Sequence, residues 1–142
     1  DKIDEIMEQV KCPVAVFVNR QYREGTTVSF VFGGMIDLFL FSYLDKMLQN
    51  GHSVRLFLFD TDDEEFRGRI DDLQVRYPEQ TMIVWFAGVE DLVTEEKDGL
   101  LIMSHLSYTK LSEDEAVMRE LSSLLVIRRN KNTGDKNEGL EN

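Results

Sequence analysis

Five short, nearly unbroken apolar runs punctuate this chain, at Val28 to Phe32, Val54 to Phe59, Met82 to Phe86, Leu100 to Met103 and Leu124 to Ile127. Each is too short for a helix, and none alternates apolar with polar residues. That is the pattern of strands buried on both faces, as in a parallel sheet covered by helices on each side. Val14 to Val18 is a further run of the same kind.

The segments between the runs complete the pattern. Met35 to Gln49 reads as a helix stopped by Asn50-Gly51. Thr61 and Glu64 match a capping box, after which Phe66, Ile70, Leu73 and Tyr77 line one helical face before Pro78. Ser112 and Glu115 form a second capping box, opening a helix through Leu121. Asp91 to Lys97 fits a short helix or a loop equally well. Ile3, Ile6, Met7 and Val10 recur at helical spacing before Pro13, and the polar stretch Asn19 to Thr27 is too short for a crossover helix. Strands alternating with helices define an α/β fold with a doubly wound parallel sheet of five strands, preceded by an N-terminal helix and an extra strand. The stretch from Asn130 to Asn142 has one apolar residue, Leu140, and reads as a solvated tail.

At 142 residues one such domain fits and a second does not. The formal net charge of -11 argues against nucleic acid, which requires a basic face. Cys12 is the lone cysteine, so no internal disulfide is possible, and no Cys/His cluster has metal-ligand spacing. Val28 to Leu48 approaches membrane-spanning length, yet Gly33-Gly34 breaks it and Asp37, Asp45 and Lys46 charge its second half. It reads as strand plus helix, with no membrane insertion of this segment. Because the first residue is Asp1 and not Met, a piece of a longer protein is expected.

Candidate chemistry is sparse. The acidic run Asp60, Asp62, Asp63, Glu64 and Glu65 suits the positive end of a helix dipole better than a calcium loop, whose central Gly and distant Glu are missing. Asp60 ends a strand, as a phosphoacceptor aspartate does in a receiver domain, but no acidic pair follows the first strand. Ser104 and His105 follow a strand without the glycine-flanked elbow of a nucleophile. Gly33-Gly34 joins a strand to a helix, where phosphate-binding loops also occur, and its simplest use is a tight turn. No catalytic residue is assigned and no enzyme is expected.

Cys12-Pro13-Val14-Ala15-Val16-Phe17-Val18 resembles the "CPV" entry to the last strand of a universal stress protein repeat. Val31-Phe32-Gly33-Gly34 followed by Asp37 resembles the "FFGG..D" opening of the stress-protein-like domains in cytoplasmic tails of cation/proton antiporters. Asp98 to His105 looks like the fourth strand of that fold with its following "SH", and Ser122 to Arg128 like its final strand. The resemblance divides the chain into residues 1–27, the end of a preceding repeat, residues 28–129, a complete stress-protein-like domain, and the tail 130–142. It implies the strand order 3-2-1-4-5, with a topological switch where Gly33, Gly34, Ser104 and His105 would meet.

The same resemblance implies a function. The chain would be a cytoplasmic regulatory domain of a membrane Na⁺/H⁺ or K⁺/H⁺ antiporter, partnered by the transport domain of its own polypeptide. Leu106, Ser107 and Tyr108 replace the glycine-rich phosphate loop of nucleotide-binding stress proteins, and Gly33 stands where those proteins carry an aspartate. No cofactor is therefore expected, and a neutral or cationic group beside Asp37 suits the crevice better than a nucleotide. The alternatives are a free-standing stress-protein-like nucleotide binder and, more remotely, a small hydrolase. Met35 to Leu48 is apolar on nearly every side, so Phe39 and Phe41 are expected at an interface, with the strand residues Val14, Val16 and Val18 as a second contact, in a homodimer or against another domain.

Overall fold

The computed structural model describes residues 14–23, 25–60, 62–94 and 97–129. The expected N-terminal helix, Cys12, Thr61 and the tail 130–142 lie outside the described residues. The chain runs β1 (Val14–Val18), β2 (Val28–Phe32), a 3-10 helix (Met35–Leu40) leading into α1 (Phe41–Gln49), β3 (Val54–Phe59), α2 (Glu64–Arg76), β4 (Thr81–Phe86) and a second 3-10 helix (Val89–Leu92). It continues with β5 (Leu100–Ser104), α3 (His105–Leu111), α4 (Glu115–Glu120) and β6 (Ser123–Arg128).

The architecture is α/β, with one six-stranded sheet in the order β1-β6-β5-β2-β3-β4. Its five strands from β2 onward pair in parallel. The extra strand does not stand apart: β1 pairs antiparallel with β6, Val16 opposite Val126, so the sheet has six strands. The chain leaving β1 is tied down beside this pair. The backbone N–H of Arg20 donates to Ser123 Oγ at 2.8 Å, and its guanidinium donates to the carbonyls of Met118 and Leu121.

Helices cover both faces, which is why the strands carry apolar residues on successive positions. On one face Phe30, Phe32, Leu56, Leu58 and Ile102 are buried with Leu44 and Leu48 of α1 and Phe66, Ile70 and Leu73 of α2. On the other, Val31, Phe57, Met103, Leu124 and Val126 are buried with Tyr108 and Leu111 of α3 and Val117 of α4. No helix among the described residues is long and apolar enough to cross a membrane.

Local structure departs from the sequence expectation at three helix starts. The segment after Gly34 is not one α-helix: it begins as a 3-10 helix, with Asp37 N–H donating to Gly34 O at 3.0 Å, and becomes α-helical at Phe41. The side chain of Asp37 turns back onto Gly33, which tightens that first turn. The second helix is capped by Asp63, whose carboxylate accepts from Phe66 N–H at 3.1 Å. Ser112 does not open the last helix. It ends α3, and Asp114 caps α4 by accepting from Val117 N–H at 3.1 Å.

Candidate functional site

The chain leaves β2 toward β3 on one side, while β5 lies on the other, so the carboxyl ends of β2 and β5 flank a switch in connection direction. Gly33-Gly34 follows β2 there, and Ser104 ends β5. Gly34 adopts φ 146°, a conformation that side chains rarely take, so the turn requires glycine. At Gly33 the requirement is space: a β-carbon would lie 3.2 Å from Asp37 Oδ2 and 3.5 Å from Ser107 Oγ.

Asp37 is the centre of this arrangement. Only 1% exposed, it accepts two hydrogen bonds on Oδ2, from Gly33 N–H at 2.6 Å and from Ser107 O–H at 3.0 Å. Its Oδ1 is buried without a hydrogen-bond partner among the described residues. Ser107 N–H in turn donates to Ser104 Oγ at 3.1 Å, making Ser104 the N-cap of α3. The carboxylate thus joins the turn after β2 to the helix after β5, using a backbone N–H and a hydroxyl that a bound anion would otherwise need.

Of the five residues expected to meet at the crevice, Gly33, Gly34, Asp37 and Ser104 form one hydrogen-bonded corner. His105 sits half-buried in the first turn of α3, its carbonyl accepting from Thr109 Oγ1 at 3.0 Å. The residue that sequence reasoning missed is Ser107, the bridge between Asp37 and Ser104. Ser104 as an N-cap three residues before it was the available signal.

Beside this corner, over the carboxyl ends of β2 to β5, lies a pocket of about 190 Å³. Val31, Phe59, Phe86, Leu92, Met103 and Leu111 form its apolar walls. Gly33, Ser107 and Lys110 supply its polar border. Among the described residues no group of three His, Cys, Asp or Glu side chains is placed to hold a metal ion. In the acidic run Asp60 pairs with Arg67 at 3.0 Å and Asp63 caps α2, so both have structural work.

The expected interface residues divide. Val16 and Val18 pack against the core on the α3 side, whereas Phe17, between them, is exposed and meets Tyr22 edge to face. Val14 stands opposite Arg128 in the β1–β6 ladder. Phe41 meets Phe32 edge to face at 5.2 Å, and Phe39 lies under the guanidinium of Arg129 at 5.6 Å. Both rings are half-buried by the chain itself. Comparison with protein-family models, with curated proteins and with solved structures finds no match for this chain.

Proposed function

We propose that this chain is a cytoplasmic regulatory and interaction domain of a membrane monovalent cation/proton antiporter, modulating transport without catalysis of its own. The neighbour order β4-β3-β2-β5-β6 supports the stress-protein-like reading, since numbering these strands from Val28 gives 3-2-1-4-5. The observation that carries the proposal is the Asp37 corner. The acid of the Phe-Gly-Gly-x-x-Asp pattern binds the very turn that the pattern encodes, and it takes the donors on which phosphate affinity at a glycine turn would rest. A domain so arranged acts through contacts with the transport domain of its polypeptide, and with a second copy of itself, in place of nucleotide binding.

Two measurements test it. Calorimetry with ATP, ADP, AMP and NAD is expected to give affinities of about 1 mM or weaker. Low-micromolar binding that is lost on Gly34→Val would replace the proposal with a free-standing nucleotide binder. The coding sequence upstream of Asp1 is expected to encode about ten or more apolar spans of membrane-crossing length. An in-frame start codon immediately before Asp1 would end the antiporter reading. In the intact transporter, deleting residues 28–129 should change the rate or pH dependence of cation/proton exchange while leaving exchange itself present.

A further inference from the structure

The apolar pocket beside the Asp37 corner has a chemistry of its own, independent of membership in any transporter. Phe59 and Phe86 meet edge to face at 5.7 Å and form an aromatic wall, and Phe59 remains 39% exposed. Apolar surface of that size facing a cavity marks a place where another ring gains contacts. A volume of about 190 Å³ exceeds the roughly 150 Å³ of an apolar protein cavity that admits benzene.

The polar border then restricts what the ring carries. The hydroxyl proton of Ser107 and the N–H of Gly33 are both engaged by Asp37, so neither remains as a donor. What is left is Lys110, which lines the pocket from the same face of α3 as Ser107 and makes no ion pair with any described residue. Two carboxylates are bonded to lining residues from behind: Asp37 to Gly33 and Ser107, and Asp91 to Ala87, whose N–H it accepts at 3.3 Å. A single lining cation, with two carboxylates bonded to neighbouring lining residues, suits one negative charge and opposes two or more.

We infer that the pocket binds a small aryl carboxylic acid as its monoanion, ring against Phe59 and Phe86 and carboxylate on Lys110. The test is a calorimetric and methyl-NMR titration of the whole chain with 3-phenylpropionate and with its neutral amide. The acid should saturate at about 1 mM or below, with shifts in the methyls of Val31, Met103 and Leu111. The amide should bind about fivefold more weakly. Lys110→Met should lower the acid to the level of the amide and leave the amide unchanged, and Lys110→Arg should restore most of the difference. Lys110 is exposed, so both variants should fold. No saturation by about 10 mM, equal affinity for acid and amide, or an acid affinity unmoved in Lys110→Met would each overturn the assignment, as would displacement of the acid by AMP with matching micromolar affinity. Failure here leaves the regulatory-domain proposal standing, because that proposal is read from transport and from nucleotide titration.

Discussion

Asp37 and Ser107 are separated by 70 residues in the chain and joined by a 3.0 Å hydrogen bond, in which the serine hydroxyl donates to the buried carboxylate. The same oxygen holds Gly33 N–H. Removing the side chain leaves a backbone donor and a hydroxyl unpaired at the end of the sheet. Hydrogen bonds to a charged acceptor contribute about 1.5–3 kcal/mol each, offset by the cost of keeping Asp37 Oδ1 buried without a partner. Asp37→Ala is therefore expected to lower stability by about 2–3 kcal/mol in equilibrium urea unfolding. No loss of stability would show that the corner contributes nothing.

The vacated donors should also change what the protein binds. In Asp37→Ala, inorganic phosphate is expected to raise the unfolding midpoint by filling the place of the carboxylate, by the usual linkage of ligand to stability. In the parent chain it should not. Equal stabilisation of both proteins by phosphate would mean that binding occurs elsewhere.

Gly33 and Gly34 should fail for different reasons, and a double-mutant cycle separates them. Gly34→Ala strains the backbone at φ 146°, an expected loss of about 1–3 kcal/mol whatever stands at position 37. Gly33→Ala instead presses a β-carbon toward Asp37 Oδ2 at 3.2 Å. Its cost should shrink when Asp37 is already alanine, with a coupling of about 0.5–1 kcal/mol or more, while the cost of Gly34→Ala stays constant.

The helix caps give a local check on the fold. Asp63→Ala and Asp114→Ala should each cost about 1 kcal/mol, since each carboxylate accepts from the N–H three residues on. Ser112→Ala should cost less than about 0.5 kcal/mol, because Ser112 ends a helix and its hydroxyl donates to the carbonyl of Thr109 instead of capping α4. Comparable losses at Ser112 and Asp114 would contradict the start of α4.

Phe41 and Phe39 distinguish cover within the chain from cover by a partner. Phe41→Asp places a charge against Phe32 and should destabilise the monomer by about 2 kcal/mol or more. Phe39→Asp should cost less in the monomer and act chiefly on self-association, read by sedimentation at high micromolar concentration. A chain that stays monomeric there, with or without Phe39→Asp, would remove the second copy from the proposal.

The strands were readable in the sequence because each is apolar on both faces. The runs 14–18, 28–32 and 54–59 coincide with β1, β2 and β3, and the others differ by one residue at one end or, for β6, at each end. The helix His105–Leu111 was not readable. Its seven residues include Ser107, Tyr108 and Thr109, types that favour helices weakly, and only Tyr108 and Leu111 are buried. At the site, Gly33-Gly34 declared a turn locally. The use of Asp37 depended on Ser107, far away in the chain, and no local pattern encodes a bond that the sheet order alone brings together.

The pairing of β1 with β6 sets the order of synthesis against the order of assembly. Val14 to Val18 are made well before the strand that receives them, Ser123–Arg128, which lies roughly a hundred residues further along the chain. At ordinary translation speeds the first strand waits about 5–20 seconds for its partner. Throughout that interval its apolar residues and open hydrogen-bonding edge are presented to every other chain in reach. The seam that completes the sheet is thus also the point at which a nascent copy is most exposed to pairing with the wrong neighbour.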